Sequence, residues 1–509
     1  MTEITGGTDL EGQTVLVTGG ARGGRRLARA LAARGASVVL AQRRPGPPET
    51  GVEPRALDPA DPDALRAFAK ALLAEPGELH ALVLLGPEPD AAFALTGLLL
   101  ERLLESAAPV RGRRARVVIA ARLHPLGRSR PALLSFARGL HTRLKDAGLS
   151  PRLRCAAAAG LPAVARAVGD PDLRNGVLVG PAGWAGRLGS LASRSLPRAR
   201  DDAEAWAECE RRAGVSYDVL KERTVHLESR RRELLAGPRG ISAMIRVKNE
   251  EEFLYPAVKS IAGCVDEILL IDNLSSDRTP EIIRTLAAEH PDKVVPLAYP
   301  HRVARWGVEN RDAAAGAANA PHAVHVYYNW CLERCTRPFV LKWDGDMVAL
   351  DRFGEWLERW RRSDRLVLAF CGANVHPDRR HLLAARCTDQ AELEARLDGS
   401  GVPDWATWLT YDRAESRLFP HWGARFEGTW GWVEAQESPF IRGTQRVRNR
   451  LEPDEPCFLH MKFCKRDPWT GYTPELAKVI SDNIDVGPPL TDDQRAALEH
   501  WGLDRPGDS

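Results

Sequence analysis

Two aspartates separated by one glycine, Asp344 and Asp346, end an apolar run that reads R-P-F-V-L-K-W-D-G-D-M-V-A-L. Carboxylates crowded at the end of a buried strand are costly unless a cation neutralises them. Oxygen donors of this kind suit Mg²⁺ or Mn²⁺, which would offset the negative charge that builds on phosphate oxygens when a nucleoside diphosphate departs. Alone, Asp-Gly-Asp is more often a turn. Its place after a buried strand favours a metal and diphosphate site.

A second acidic pattern lies upstream. M-I-R-V-K-N-E-E ends one strand at Lys248, Asn249, Glu250 and Glu251, and V-D-E-I-L-L-I-D-N ends another at Asp272 and Asn273. In open α/β sheets ligands bind at the carboxyl ends of strands, where a carboxylate can accept from a nucleobase N–H or a ribose hydroxyl. Ser275, Ser276 and Asp277 read as caps for a helix beginning near Thr279 and Pro280. In order and spacing these segments resemble the GT-A-fold family 2 glycosyltransferases, and the D-x-D of that family falls at Asp344-Gly345-Asp346. The resemblance implies that Glu250 and Asp272 line the donor nucleotide pocket with Asp277 nearby, that Asp344 serves the ribose or the metal, and that Asp346 serves the metal. The plain alternative makes Glu250, Asp272 and Asp277 helix caps.

The segment from Ser416 to Gln436 is similar to the R-L-F, R-F-E-G and H-E stretch of some family members. An inverting transferase needs a carboxylate to take the acceptor proton, and Glu434 and Glu427 are the two candidates. His460 falls where some GT-A enzymes place a late histidine on the metal or diphosphate, with Lys462 and Lys465 near enough in sequence to reach phosphates; a packed histidine beside surface lysines is the alternative. Trp430 and Trp432 are candidates to stack on a sugar. The interval from His301 to Asn329 carries no assignment beyond a lid or part of an acceptor channel.

Near the N-terminus, Thr18-Gly19-Gly20-Ala21-Arg22-Gly23-Gly24-Arg25 sits where a strand meets a helix, so that backbone N–H groups could approach a pyrophosphate. This turn resembles that of the short-chain dehydrogenase/reductase family, matching at Thr18, Gly19 and Gly23 but with Arg25 where the last glycine belongs. The family's proton donor is a tyrosine four residues before a lysine, yet the first tyrosine of this chain is Tyr217, beyond the unit. Arg43 and Arg44 would suit a cofactor 2′-phosphate or form a solvated rim. The expectation is a vestigial dinucleotide site (Thr18, Gly19, Gly23) in a non-catalytic unit that serves docking, oligomerisation or acceptor presentation. NAD(P) is kept as an alternative.

These residues need a scaffold, and apolar strands alternating with amphipathic helices supply one. The fold expected is α/β in two tandem units, an N-terminal Rossmann-like doubly wound sheet and a C-terminal GT-A fold. The boundaries expected are 1–198 for the first unit, 199–237 for a highly charged helical connector, 238–487 for the transferase and 488–509 for a tail. Across 509 residues, 44% hydrophobic and 27% charged content suits a globular enzyme, and a net charge of +3 is too small to imply nucleic acid. The longest apolar runs fall short of the roughly 20 residues that span a bilayer, and M-T-E-I-T-G-G-T-D-L reads unlike a leader, so a cytoplasmic protein is expected. Nine scattered cysteines suit reduced thiols. The partners expected are a UDP-, GDP- or dTDP-sugar and an unknown acceptor, in a bacterial setting, with oligomerisation open. A non-catalytic sugar-nucleotide binder and a bifunctional enzyme with an NAD(P)-dependent step are the rival readings.

Overall fold

The computed structural model describes residues 10–19, 21–85, 89–106, 115–121, 136, 139–140, 142–144, 146–147, 153–159, 178–179, 201–315, 320–386, 410–427, 435–441 and 448–505. The chain divides into two compact units, Met1–Glu228 and Ser229–Ser509. Among the described residues no helix is long and apolar enough to cross a membrane.

The first unit is built on a seven-stranded parallel sheet. Its strands are β1 (Thr14–Thr18), β2 (Ser37–Gln42), β3 (Val52–Ala56), β4 (Ala81–Leu85), β5 (Ala115–Ala121), β6 (Leu153–Ala159) and β7 (Leu178–Val179), in the order β3-β2-β1-β4-β5-β6-β7. Helices α1 (Ala21–Ala32), α2 (Pro62–Ala74) and α3 (Pro89–Ser106) follow β1, β3 and β4. Strands covered on both faces read as continuous apolar runs, and Val15, Leu16 and Val17 of β1 are wholly buried.

Helix α4 (Asp201–Ala213) and the start of α5 (Asp218–Ala236) close this unit's core, although their stretch reads in sequence as a charged connector. Trp206 and Tyr217 pack on Phe93 with ring centroids 4.7 and 4.9 Å apart, while the Tyr217 hydroxyl donates to the Phe93 carbonyl at 2.8 Å. The charges that suggest a connector sit on the outer face, as in the Glu208–Arg211 ion pair.

The second unit has a nine-stranded mixed sheet whose core path runs β10-β9-β8-β11-β15-β13-β19-β12. These are β8 (Ile241–Val247), β9 (Glu267–Asp272), β10 (Val294–Ala298), β11 (Phe339–Asp344), β12 (Met347–Ala349), β13 (Val367–Asn374), β15 (Tyr411–Pro420) and β19 (Phe458–His460); β18 (Arg450–Leu451) pairs with β13. Two small ribbons join β14 (His381–Ala385) to β20 (Ile484–Pro489) and β16 (Arg425–Glu427) to β17 (Ala435–Glu437). The helices are α6 (Leu254–Lys259), α7 (Thr279–Glu289), α8 (Val308–Ala315), α9 (Val324–Leu332), α10 (Asp351–Arg361), α11 (Pro474–Asn483) and α12 (Asp492–His500). A Thr491–Gln494 capping box starts α12, which buries Leu498.

Strands β8, β9, β10 and β11 run parallel, and the order reverses between β8 and β11. A reversal leaves a crevice at the strands' carboxyl ends. The two-residue period of β11 sends Leu341 and Trp343 to one face and Lys342 and Asp344 to the other. Trp343 is buried against Phe353 and Phe458, whose ring centroids lie 5.2 and 5.3 Å away. The opposite face looks into the crevice.

Candidate functional site

A cavity of about 590 Å³ occupies that crevice, within the range of ligand pockets. Glu250, Asp344, Asp346 and His460 line it, as do Lys462 and Lys465. Four of the residues singled out in sequence for nucleotide or metal thus come together.

The Lys248–Glu251 loop is stitched to the segment after β9. Asn249 takes a left-handed φ of 55°, which asparagine tolerates, and its amide oxygen accepts from Ser276 N at 2.8 Å. Glu250 N donates to Thr279 Oγ1 at 2.7 Å and Glu251 N to Asp277 Oδ2 at 3.0 Å. Asp277 Oδ1 also accepts from Thr279 N at 2.9 Å, so both its oxygens hold backbone, and Asp272 accepts from Ser275 N at 3.3 Å. Asp272 and Asp277 thus hold loop backbone, while Lys248, Asn249, Glu250 and Asn273 of these segments line the cavity.

Gly345 is required for close approach, because a Cβ there would stand 2.8 Å from Val247 Cγ1 and 3.1 Å from Glu250 Cγ. The end of β11 can therefore meet the end of β8. Their register opposes Asp344 to Arg246, and Arg246 donates to Asp344 Oδ1 at 2.5 Å while stacking on Tyr328, 3.5 Å from the ring centroid.

Asp346 is 4% exposed and holds two cationic side chains. Its Oδ2 lies 2.7 Å from Lys465 Nζ, which also bonds Glu250 Oε1 at 2.5 Å, and its Oδ1 lies 3.2 Å from His460 Nε2. The other ring nitrogen of His460 is 3.0 Å from Asp412 Oδ2, which accepts from Arg417 at 2.6 Å. Burial opposes ionisation of Asp346, but Lys465 and His460 hold it far below the usual carboxylate range. For Asp412, burial is likewise outweighed by Arg417 and His460. Burial would lower His460, yet the two aspartates raise it to about 9. Burial pushes the Glu250 carboxyl up to about 8, with Lys465 pulling against it and Asp346 adding to the rise.

Asp412 and Arg417 carry no signal in the sequence. Five residues apart, they would face opposite sides of a regular strand, but two register shifts in the pairing of β15 with β13 bring both to the cavity.

The interval from His301 to Asn329 becomes a wall of the cavity, through Trp306, Tyr327 and Tyr328. Asn273, buried after β9, secures its start by donating to His301 O at 2.7 Å and accepting from Val303 N at 3.3 Å. Its far end sets β16, since the Asn329 amide donates to Phe426 O and accepts from Phe426 N, both at 2.8 Å. Glu427 follows Phe426 on that strand; Glu434, Trp430 and Trp432 lie outside the described residues. Replacing Asn329 by Ala orphans both backbone groups of Phe426. The expected cost is about 1–3 kcal/mol, read in urea melts.

The expected metal donors are gathered but not open. Asp344 faces Arg246, both oxygens of Asp346 face Lys465 and His460, and among the described residues no three His, Cys, Asp or Glu groups are set to hold one ion. As arranged, this donor set does not fit a divalent cation.

In the first unit, Gly19 has φ +102° and a Cβ there would stand 2.2 Å from the Leu85 carbonyl oxygen, so chain geometry alone requires this glycine. Thr18 is buried at the end of β1, and Gly23 lies in the first turn of α1. The guanidinium of Arg25, standing where the family has glycine, lies against Gly46, and Arg43 Nε donates to Asp58 at 2.8 Å.

Residues 242–321 match the family model described as Glycosyl transferase family 2. The N-terminal part is similar to Retinol dehydrogenase 12 of Mus musculus, at 32% identity over 194 residues that cover 29% of this chain and 61% of the relative. It is also similar to Retinol dehydrogenase 11 of Homo sapiens, at 37% identity over 157 residues covering 24% of this chain and 48% of the relative. The chain therefore spans less than two thirds of either curated relative. Solved structures with likeness include an uncharacterized protein from Mycobacterium Paratuberculosis, with 24% identity, TM-score 0.32, and coverage of 41% of this chain and 95% of that one. Another is a metagenomic short-chain oxidoreductase in complex with NADP, with 20% identity, TM-score 0.28, and coverage of 34% and 99%. The chain thus joins an N-terminal region similar to retinol dehydrogenases to a C-terminal segment, residues 242–321, that matches the family 2 glycosyl transferase model.

Proposed function

We propose that this glycosyl transferase domain moves a sugar from a UDP-, GDP- or dTDP-sugar to an acceptor by direct displacement with inversion. One observation carries the reading. Within the unit that holds the family match, the ends of β8 and β11 meet at the sheet's reversal point around one cavity, with Glu250, Asp344 and Asp346 on its wall. Breaking the bond between the anomeric carbon and the diphosphate leaves the electron pair on a phosphate oxygen, and the basic side chains of the wall stabilise that charge.

The acceptor proton goes to a carboxylate, Glu427 or Glu434. Glu427→Gln and Glu434→Gln, assayed for transfer and for nucleoside diphosphate binding, test the assignment. One of the two is expected to lower kcat by about 10²–10⁴-fold with binding preserved. Full activity in both variants contradicts the assignment.

The N-terminal unit contributes no reductase step in this reading. The chain has no tyrosine before Tyr217, and the Tyr217 hydroxyl is bonded to the Phe93 carbonyl in the unit's core. Its role is then to support or orient the transferase or its acceptor.

A further inference from the structure

The residues expected to hold a divalent ion already have cations of the protein's own. Lys465 Nζ stands between Glu250 Oε1 and Asp346 Oδ2, at 2.5 and 2.7 Å. An ammonium has three N–H donors, so after those two bonds a third remains for a ligand in the cavity that Lys465 lines.

The placement of Lys465 is fixed from both sides. Met461 N donates to the Asp346 carbonyl at 2.8 Å and Cys464 N closes a turn onto Met461 O at 2.9 Å, while Arg466 N donates to Glu252 Oε1 at 2.8 Å. The ammonium is held at the D-G-D segment by backbone as well as by charge.

The charges on the wall favour an anion without help. Eight lysines and arginines line the cavity against five carboxylates. Even with Glu250 counted as ionised and His460 left aside, a surplus of three cations remains, which suits a nucleoside diphosphate with its several negative charges.

We propose that Lys465 is the cation of this site: its ammonium meets the donor's diphosphate directly, and nucleotide binding and departure proceed without a divalent metal. This rests on the transferase reading above. The glycosidic bond to the diphosphate breaks, its electron pair stays on the phosphate oxygen, the acceptor heteroatom bonds to the anomeric carbon, and the acceptor proton passes to the carboxylate base. Lys465 donates a hydrogen bond to the departing diphosphate throughout and transfers no proton.

The test is calorimetric titration of UDP, GDP and dTDP into the full chain, in EDTA and again in Mn²⁺, for wild type, Lys465→Met and Lys465→Arg. The nucleotide that binds wild type is expected to do so with Kd unchanged within about twofold between the two buffers. In EDTA, Lys465→Met is expected to weaken it about 10- to 100-fold and Lys465→Arg much less. Wild-type binding that fails in EDTA and returns with Mn²⁺ overturns the proposal whatever the variants do. Undiminished binding by a folded Lys465→Met also overturns it. Absence of binding by any of the three nucleotides in either buffer overturns the transferase reading beneath it.

Discussion

Asp346→Asn is expected to lower sugar transfer by at least about 10²–10³-fold and also to weaken the fold of the C-terminal unit. The side chain is 4% exposed, with Lys465 on one oxygen and His460 on the other. Asparagine keeps the shape and removes the charge, so two buried cationic groups lose their shared counter-ion. Breaking a buried pair from one side costs about 3–5 kcal/mol, because the remaining charge cannot return to water. Transfer rates measured well below the variant's melting temperature separate the two effects. A variant that transfers normally would remove Asp346 from the site.

The second large effect is expected at Asp412→Asn. Arg417 is 2% exposed, and the Asp412 carboxylate bonds its guanidinium at 2.6 Å. Neutralising that partner removes the charge from one side of a buried ion pair, at about 3–5 kcal/mol. The effect is pH-dependent with a definite sign. In the folded protein the Asp412 carboxyl titrates below its ordinary 3.8, despite burial, because Arg417 and His460 favour the anion. Its contribution is therefore present above about pH 4 and lost as pH falls through the folded value. Urea melts are expected to show a large gap between wild type and variant that holds from pH 7 down to about pH 4 and narrows only as pH falls further. A gap independent of pH would mean that the carboxylate's charge is not what Arg417 requires.

How far the sequence discloses this site follows from its geometry. The ends of β8, β9 and β11 are legible because each is an apolar run with an acidic residue at its end or within three residues beyond it, and a parallel sheet places such ends on one edge. Glu250 and Asp346 therefore meet as the pattern implies, although 96 residues of chain separate them. Asp272 and Asp277 have the same signature, and the folded loops show in addition that each accepts from backbone N–H groups, which the sequence does not disclose. The antiparallel half is opaque for two reasons. Strands as short as β12 and β19 have no readable period, and the irregular pairing of β15 breaks the alternation that would have marked Asp412 and Arg417. The engagement of Lys465 is equally unreadable, since a lysine 119 residues from Asp346 gives no hint whether it meets a phosphate or a carboxylate.

The two units differ in what their glycines do. Gly345 admits the close approach that builds the cavity, whereas Gly19 is explained by the nearby Leu85 carbonyl without invoking a cofactor. A dinucleotide-type turn can persist for the sake of its strand crossing after its chemistry is gone. Arg25 against Gly46 and Arg43 on Asp58 agree with that view, because both basic side chains near the turn already have neighbours within the fold.

The most direct test of the central claim is release of nucleoside diphosphate from UDP-, GDP- and dTDP-sugars by the full chain, beside Asp346→Ala. The transferase reading predicts slow release from one class of donor by wild type, and release at the uncatalysed rate by the variant. No release from any donor, or equal release by both proteins, would contradict it.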